Sequence, residues 1–409
     1  MAEQKFDVVV YGATSFVGQI ICRYMLDQYG ADGEIRWGIA GRSSAKLDSL
    51  KQDLGAAAQS LPVITADAAD ESALRALCEQ TRVVLTTVGP YAYYGEPLVK
   101  VCAETGTDYV DLTGEVQWIR AMLEKYETTA KQNGARIVHC CGFDSIPSDM
   151  GVFFVQEQAR NKFGKPCQRV KLRVKGAKGG MSGGTIASLM NVASEAAKNR
   201  SLRRILADPY ALCLEGPKNT ASQPDVKSAT YDKDFDVWLA PFVMAAINTR
   251  VVHRSNMLLG LGYGNGFQYD EAMMTGKGAK GWATAQGMTA GMGGFLVAVA
   301  IKPTRWLLEK FVLPAPGEGP TPEEQENGFF DLRLYGETEG GQIIRAKVTG
   351  DRDPGYGSTA KMISQAALCL AKDIPATEKS CGFWTPSTIF GHKLIKRLEA
   401  SAGLTFEVL

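Results

Sequence analysis

The sequence predicts an α/β protein: a Rossmann doubly wound parallel sheet with an inserted α+β second domain that contains an antiparallel sheet. Three observations carry this. Through the first 150 residues, apolar runs of strand length alternate with segments whose apolar residues recur at helical spacing. The first run passes into a helix through a glycine-bearing loop, GATSFVG. Past residue 150 the runs give way to polar-alternating strands and a hairpin, which is antiparallel patterning.

Taken in order, VVVYG at 8–12 opens with a continuous apolar strand. SFVGQIICRYMLDQYG then aligns Phe16, Val17, Ile20, Ile21, Tyr24 and Met25 on one helical stripe between a Ser15 N-cap and a Gly30 stop. IRWGIAG is the second strand, SAKLDSLKQDLG a helix, LPVITAD the third strand and DESALRALCEQ a helix. VVLTTVGP, YVDLTGE and ARIVHCCG read as further strands, with helices at EPLVKVCAETG and VQWIRAMLEKYETTAKQNG between them. Strands buried on both faces and separated by amphipathic helices form parallel sheets. The crossover rule then puts the loops that follow the strands on one edge, where ligands bind.

DMGVFFVQEQ reads as a helix capped by Ser148 or Asp149. RVKLRVKG is a polar-alternating strand, SGGTIASLMNVASEAAKNR a helix with a glycine-rich start, and FFDLRLYGETEGGQIIRAKVTG a hairpin turned by Gly340 and Gly341. Residues 203–235 and 313–327 read as loops. SQAALCLAKD returns to helix, and HKLIKRLEASAGLTFEVL closes the chain as a polar-apolar tail.

A length of 409 residues fits two domains, or one large domain with an insertion. Hydrophobic residues at 45%, charged residues at 22% and a net charge of +1 are those of an ordinary soluble globular protein and give no sign of a nucleic-acid partner. Nine cysteines without a CxxC pair read as reduced core thiols, and MAEQKFDVVV does not read as a secretory signal. The expected location is cytoplasmic. One stretch complicates it: GWATAQGMTAGMGGFLVAVAI, 281–301, carries no charge over roughly the length that spans a bilayer. Its glycines make it a poor spanning helix, and the following KPTRWLLEKFVLP sets Lys302, Arg305, Trp306 and Lys310 beside apolar residues as interfacial segments do. A buried helix and a membrane-facing or lipid-facing element are both open readings, so peripheral membrane contact is an expectation.

The glycine loop has Gly12 and Gly18, with Ser15 where the middle glycine of a dinucleotide loop stands. A pyrophosphate needs amide donors at a helix N-terminus, a tight turn and no blocking side chain. The setting, a first strand, then the loop, then an amphipathic helix, makes Gly12, Ala13, Thr14, Ser15, Phe16, Val17 and Gly18 a phosphate loop. Serine at the middle position is small, and its hydroxyl can donate to an oxyanion or cap the helix. The second strand ends in AGRSSAK, where an NAD site has an acidic residue for the ribose hydroxyls. Arg42, Ser43 and Lys46 there favour NADP(H), since a guanidinium stacks on adenine and pairs with a 2′-phosphate. Asp67, after the third strand, and Val88, Gly89, Pro90 and Tyr91, after the fourth, complete the expected cofactor edge.

YGATSFVG, AGRS, TTVGPYAYYGEPLVKVCAETGTDYVDLTGE and CGFDSIPSDMG, with MSGGTIAS, RDPGYGSTA and the terminal AGLTFEVL, resemble the saccharopine dehydrogenase-like oxidoreductases. Within them the resemblance is to the branch of the trans-acting enoyl reductases and the animal saccharopine dehydrogenase-like proteins. It implies a Rossmann domain, 1–150, an inserted α+β domain, 151–350, that bears substrate and often a homodimer contact, and C-terminal helices, 351–409, that return to the first domain. The usual loop of the family is GATGFVG, from which Ser15 departs. In the mycobacterial members the resemblance implies enoyl reduction of long acyl chains made by polyketide synthases, and in animal members membrane or lipid-droplet association. Saccharopine enzymes proper grip an amino-dicarboxylate with arginines, and no matching arginine-rich block is found here.

The expected activity is therefore NADPH-dependent reduction of a C=C or C=O bond in an apolar, lipid-like acyl substrate. A saccharopine-type amino-acid dehydrogenase and a non-catalytic, membrane-associated Rossmann scaffold are the competing readings. Tyr91 and Tyr94 after the fourth strand, and Asp144 and Ser145 in CGFDSIPSD after a later strand, are the candidate catalytic residues. Packing in the cleft is the competing role for the tyrosines. His139, His253 and His392 are single and dispersed, so no metal site is expected, and no GxSxG elbow supports a serine hydrolase.

Overall fold

The computed structural model describes residues 4–179, 190, 192–196, 198–301, 303–306, 319–378 and 380–409. In chain order the elements are β1 (Phe6–Tyr11), α1 (Phe16–Tyr29), β2 (Trp37–Gly41), α2 (Ser44–Leu54), β3 (Val63–Thr65), α3 (Glu71–Cys78), β4 (Thr81–Thr86), α4 (Tyr91–Tyr94), α5 (Glu96–Thr105), β5 (Asp108–Val110), α6 (Val116–Asn133), β6 (Arg136–Val138) and α7 (Ile146–Phe163). There follow β7 (Cys167–Lys178), α8 (Arg200–Ala207), β8 (Thr230–Asp232), β9 (Val237–Pro241), α9 (Ala245–Leu258), β10 (Gln268–Gly276), α10 (Gly278–Ala300), α11 (Pro322–Glu326), β11 (Phe329–Thr338) and β12 (Ile343–Gly350). The chain closes with α12 (Thr359–Leu368), β13 (Gly382–Trp384), α13 (Pro386–Ser401) and β14 (Leu404–Val408). Two compact units result: Met1–Ile146 with Gly355–Gly403, and Pro147–Pro354 with Leu404–Leu409.

In the first unit seven strands run in the order β13-β6-β5-β4-β1-β2-β3, and every pair is parallel. The order reverses direction between β1 and β4, the switch point beside which ligands bind in sheets of this kind. Val8, Val9 and Val10 are wholly buried, as a central strand covered on both faces requires. Helix α1 lays Ile21, Cys22, Met25 and Leu26 into the core, and Ser15 and Gly30 are its caps, as the sequence predicts. A buried ion pair fixes the amino ends of β5 and β6: the Arg136 guanidinium is bound to Asp108, with Nε 3.0 Å from Oδ1, and also donates to the carbonyls of Leu370 and Ile374. Through those carbonyls the pair holds the C-terminal return segment of this unit. Burial pushes the Asp108 carboxyl upward in pKa, opposed by its bonds to Arg136.

In the second unit the order is β14-β12-β11-β7-β10-β9-β8. The hairpin β11–β12 turns at Gly341, whose φ is +76°, as predicted. The pairs are antiparallel, as expected, except that β7 and β10 pair in parallel, so the sheet is mixed. The loop expected over 203–235 contains the end of α8 and all of β8, and that over 313–327 contains α11, which is closed by a Thr321/Glu324 capping box. Helix α7 starts at Ile146, ahead of the expected Asp149, whose carboxylate instead accepts from Ser255 Oγ at 2.6 Å. The expected helix 182–200 lies largely outside the described residues. Helix α9 has no counterpart in the periodicity, because its buried faces carry polar residues with their own partners: Asn248 donates to Glu271 at 2.8 Å and Asn256 to the Gly264 carbonyl at 3.1 Å.

Helix α10 contains the charge-free stretch. Gly281, Ala285 and Val299 are buried, whereas Trp282, Leu296 and Val297 are exposed. Among the described residues no helix is long and apolar enough to cross a membrane.

Replacing Asp108 by Ala leaves Arg136 buried without its counter-charge, so a loss of about 3–5 kcal/mol is expected. Urea unfolding measures it, and a loss under about 1 kcal/mol would remove the ion pair from its structural role.

Candidate functional site

The loop after β1 is tighter than its glycine count suggests. Gly12 has φ +86°, and a Cβ placed there would stand 2.7 Å from Thr87 Oγ1 and 2.8 Å from Val88 Cγ2, at the end of β4. A Cβ at Gly18 would fall 2.2 Å from the Gly12 carbonyl oxygen. Neither position admits a side chain. Ser15 fills the place of the missing glycine with a relay: the Gly18 amide donates to Ser15 Oγ at 3.0 Å, and Thr87 Oγ1 donates to the Gly12 carbonyl at 2.9 Å. With the Thr87 proton committed, the 2.8 Å contact between the two hydroxyls requires Ser15 to donate to Thr87. Of the two roles open to Ser15, capping is therefore the one adopted. The amides of Phe16 and Val17 in the first turn have no acceptor among the described residues, and Ala13 and Thr14 complete the turn. This is an anion cradle at a helix N-terminus.

At the end of β2, Arg42 is exposed and has no hydrogen-bond or ion-pair partner among the described residues. Ser43 caps α2 by accepting from the Lys46 amide at 3.4 Å, and the Lys46 side chain is exposed on the same turn. Asp67 follows β3, is exposed, and accepts from the Ala69 amide at 2.9 Å. Arg42 and Asp67 both act electrostatically on the Tyr11 phenol at the end of β1, so the three strand ends form one locale. An unpartnered guanidinium with no carboxylate at the end of β2 fits a 2′-phosphate and offers nothing to a bare ribose diol. The residues present fit NADP(H): the cradle would hold the pyrophosphate and Arg42 the 2′-phosphate.

Beyond β4 the chain runs Val88, Gly89 and a cis-linked Pro90 into Tyr91, which starts the short helix α4. Tyr91 is buried, donates its hydroxyl to the Thr86 carbonyl and accepts from the Leu112 amide, both at 3.1 Å. Burial first, then the nearby Asp111 carboxylate, push its phenol well above the usual range. Its hydroxyl is thus committed on both sides, as the packing role, the alternative to proton donation, requires. Tyr94 is 51% exposed and its hydroxyl makes no hydrogen bond among the described residues. Ser145 is wholly buried and its hydroxyl bonds the Cys140 thiol, a packing position.

Asp144 differs from these. It is half-buried at the carboxyl edge after β6, its carboxyl has no hydrogen-bond partner among the described residues, and Oδ1 lies 3.9 Å from where a Cβ on Gly114 would stand. Burial, reinforced by Asp111, raises its pKa to about 7. Asp111 itself is wholly buried, accepts from Tyr109 Oη at 2.9 Å and from the Thr113 and Cys140 amides, and bonds His139 Nδ1 at 2.6 Å. His139 Nε2 is buried without a partner among the described residues. Glu115, also buried, binds the first two amides of α4. Thr87, Asp111 and Glu115 were missed by motif reading, although two carboxylates within DLTGE at a parallel strand's carboxyl end are a signal for a built corner.

Residues 8–138 match the family model described as the saccharopine dehydrogenase NADP binding domain. A Mycobacterium tuberculosis protein whose name proposes a trans-acting enoyl reductase is 39% identical over 413 residues, covering 99% of this chain and 97% of the relative. The trans-acting enoyl reductase of Mycobacterium leprae is 34% identical over 415 residues, covering 98% and 97%. Among solved structures, apo saccharopine dehydrogenase (L-Glu forming) of Saccharomyces cerevisiae superposes with a TM-score of 0.54 at 14% identity, covering 98% of this chain and 99% of that one, a likeness of fold.

Arg42→Ala is expected to weaken NADPH binding by roughly tenfold to a hundredfold and to leave NADH binding within roughly twofold, as measured by titration calorimetry. Equal losses for both nucleotides would place the 2′-phosphate elsewhere.

Proposed function

The chain belongs to the saccharopine dehydrogenase-like oxidoreductases, in the branch of the trans-acting enoyl reductases, and from that premise we propose that it reduces the C=C bond of an apolar, lipid-like acyl substrate. It is an NAD(P)-dependent oxidoreductase that uses NADP(H). When bound, the nicotinamide supplies the hydride. The residues of the chain do the rest: the glycine loop and Arg42 anchor the two phosphate groups, and the Val88–Tyr91 loop borders the nicotinamide side.

Reduction of a C=C bond conjugated to a carbonyl also needs a proton at the carbon that does not receive hydride. The single observation that carries the assignment is Asp144: an unpartnered, half-buried carboxyl on the cofactor edge, held protonated to about pH 7 by burial and by Asp111. In this role Asp144 holds a proton on its carboxyl oxygen and delivers it to that carbon. Tyr94, exposed to water, offers no comparable control of protonation. The enoyl substrate is supported by the names of the relatives, and its apolar character by helix α10, whose only charged residue is Lys280 and which leaves Trp282, Leu296 and Val297 exposed. The same surface supports peripheral contact with lipid, lying on a membrane and not across it.

Three outcomes test this reading. With an α,β-unsaturated acyl thioester, NADPH oxidation is expected to decline as pH rises through about 7, because the protonated form of Asp144 is the competent one; Asp144→Asn should lower the rate by roughly a hundredfold and abolish that decline. The stability sign follows from the same shift. Between its ordinary value of 3.8 and about 7 the folded chain holds a proton that the unfolded chain has lost, so the Asp144 contribution to stability falls as pH rises through that window. Asp144→Asn should therefore gain stability at pH 8 relative to the parent. For lipid contact, Val297→Lys is expected to reduce co-sedimentation with phospholipid vesicles, and an unchanged bound fraction would count against α10 as the contact.

A further inference from the structure

The corner that follows β4 is braced from a single side chain. Glu115 lies in the loop between β5 and α6, is 4% exposed, and places one carboxylate oxygen on each of the first two amides of α4: Tyr91 N–H donates to Oε1 and Ala92 N–H to Oε2, both at 3.0 Å. Those two amides are donors that a helix start leaves without intrahelical acceptors. A carboxylate satisfies both at once because all its lone pairs accept. Its own backbone is fixed by Thr113 Oγ1, which accepts from the Glu115 amide at 3.2 Å.

Four further contacts make the brace rigid. The Leu112 amide donates to the Tyr91 hydroxyl, which in turn donates to the Thr86 carbonyl at the end of β4. The Trp118 ring packs on Tyr91 with centroids 5.4 Å apart. It also closes on Gly95, where a Cβ would fall 2.6 Å from the indole. The segments TTVGPYAYYG and DLTGEVQW are thus two halves of one corner. Val88, Gly89 and Pro90 lie between Thr86 and Tyr91, both of which this corner holds.

We infer that Glu115 is the positioning residue for the nicotinamide-side loop, setting the place of Val88–Tyr91 through the Tyr91 and Ala92 amides without touching the nucleotide. The inference rests on the NADP(H) reading and deepens it. It divides the cofactor site in two: an adenine side fixed by Arg42 and the glycine loop, and a nicotinamide side fixed by Glu115. Glu115→Gln keeps the size of the side chain but turns an NH2 group toward one of the two amides, replacing a hydrogen bond by a donor facing a donor.

The test compares two probes by titration calorimetry on the full chain: NADPH, which occupies both sides, and adenosine 2′,5′-bisphosphate, which reaches only the adenine side. Glu115→Gln is expected to weaken NADPH by roughly tenfold while adenosine 2′,5′-bisphosphate stays within roughly twofold. A purely structural role would move both probes together, so parallel losses overturn the proposal, as does unchanged NADPH binding. Glu115→Asp, which keeps the charge but is one methylene too short to span both amides, carries the same comparison should the glutamine variant not fold. If the unaltered chain bound neither probe, the NADP(H) reading would fall and this proposal with it; if it bound both and the variants showed no split, the proposal alone would fall.

Discussion

The site rests on one constraint, the absence of room at Gly12 and Gly18. The first turn of α1 presses on the Gly12 carbonyl, and Gly12 itself presses on the end of β4, so two neighbouring strands and a helix meet with no room for a side chain at either glycine. The hydroxyl relay from the Gly18 amide through Ser15 and Thr87 to the Gly12 carbonyl closes that meeting point. Each bond in such a relay polarises the next, and each uses a group that would otherwise be left without a partner in a buried place. The consequence for function is that the remaining first-turn amides face the sheet edge uncommitted, as an anion site requires.

From that point the edge divides its labour. Positive charge stands at the end of β2, where Arg42 is exposed, and negative charge is buried after β5, where Asp111 and Glu115 are spent on backbone amides and on Tyr109 and His139. Burial of Asp144 first, and then the Asp111 carboxylate close by, makes a negative charge on Asp144 unfavourable and leaves it as the group that keeps its proton. In the proposed function a nucleotide anchor and a proton donor would thus lie apart along one sheet edge.

Much of this was legible from residue patterns. Six of the seven strands of the first sheet show as apolar runs alternating with amphipathic helices, and Arg42 stands where an acidic residue would serve NAD; β13, three residues long in a segment that reads as helical, and the strand order do not show. Three further things were hidden for physical reasons. Helix α9 is buried yet polar, so no apolar stripe announces it. The parallel pairing of β7 with β10 leaves no local mark on either strand. Ser15 could be read as a phosphate ligand or as a cap, because the hydroxyl that decides between them belongs to Thr87, 72 residues away. Tyr91 could likewise be read as a proton donor or as cleft packing, because the partners of its hydroxyl, at Thr86 and Leu112, are backbone groups that sequence does not display.

The most direct measurement of the central claim is thermal unfolding of the unaltered protein with each nucleotide in turn. A ligand that binds only the folded chain at about a hundred times its dissociation constant stabilises it by about 2.7 kcal/mol, which raises the melting temperature measurably. NADPH is expected to raise it, and NADH at the same concentration to raise it by much less. A rise with NADH equal to or larger than that with NADPH would contradict the role of Arg42, and no rise with either would contradict the glycine loop as a nucleotide site.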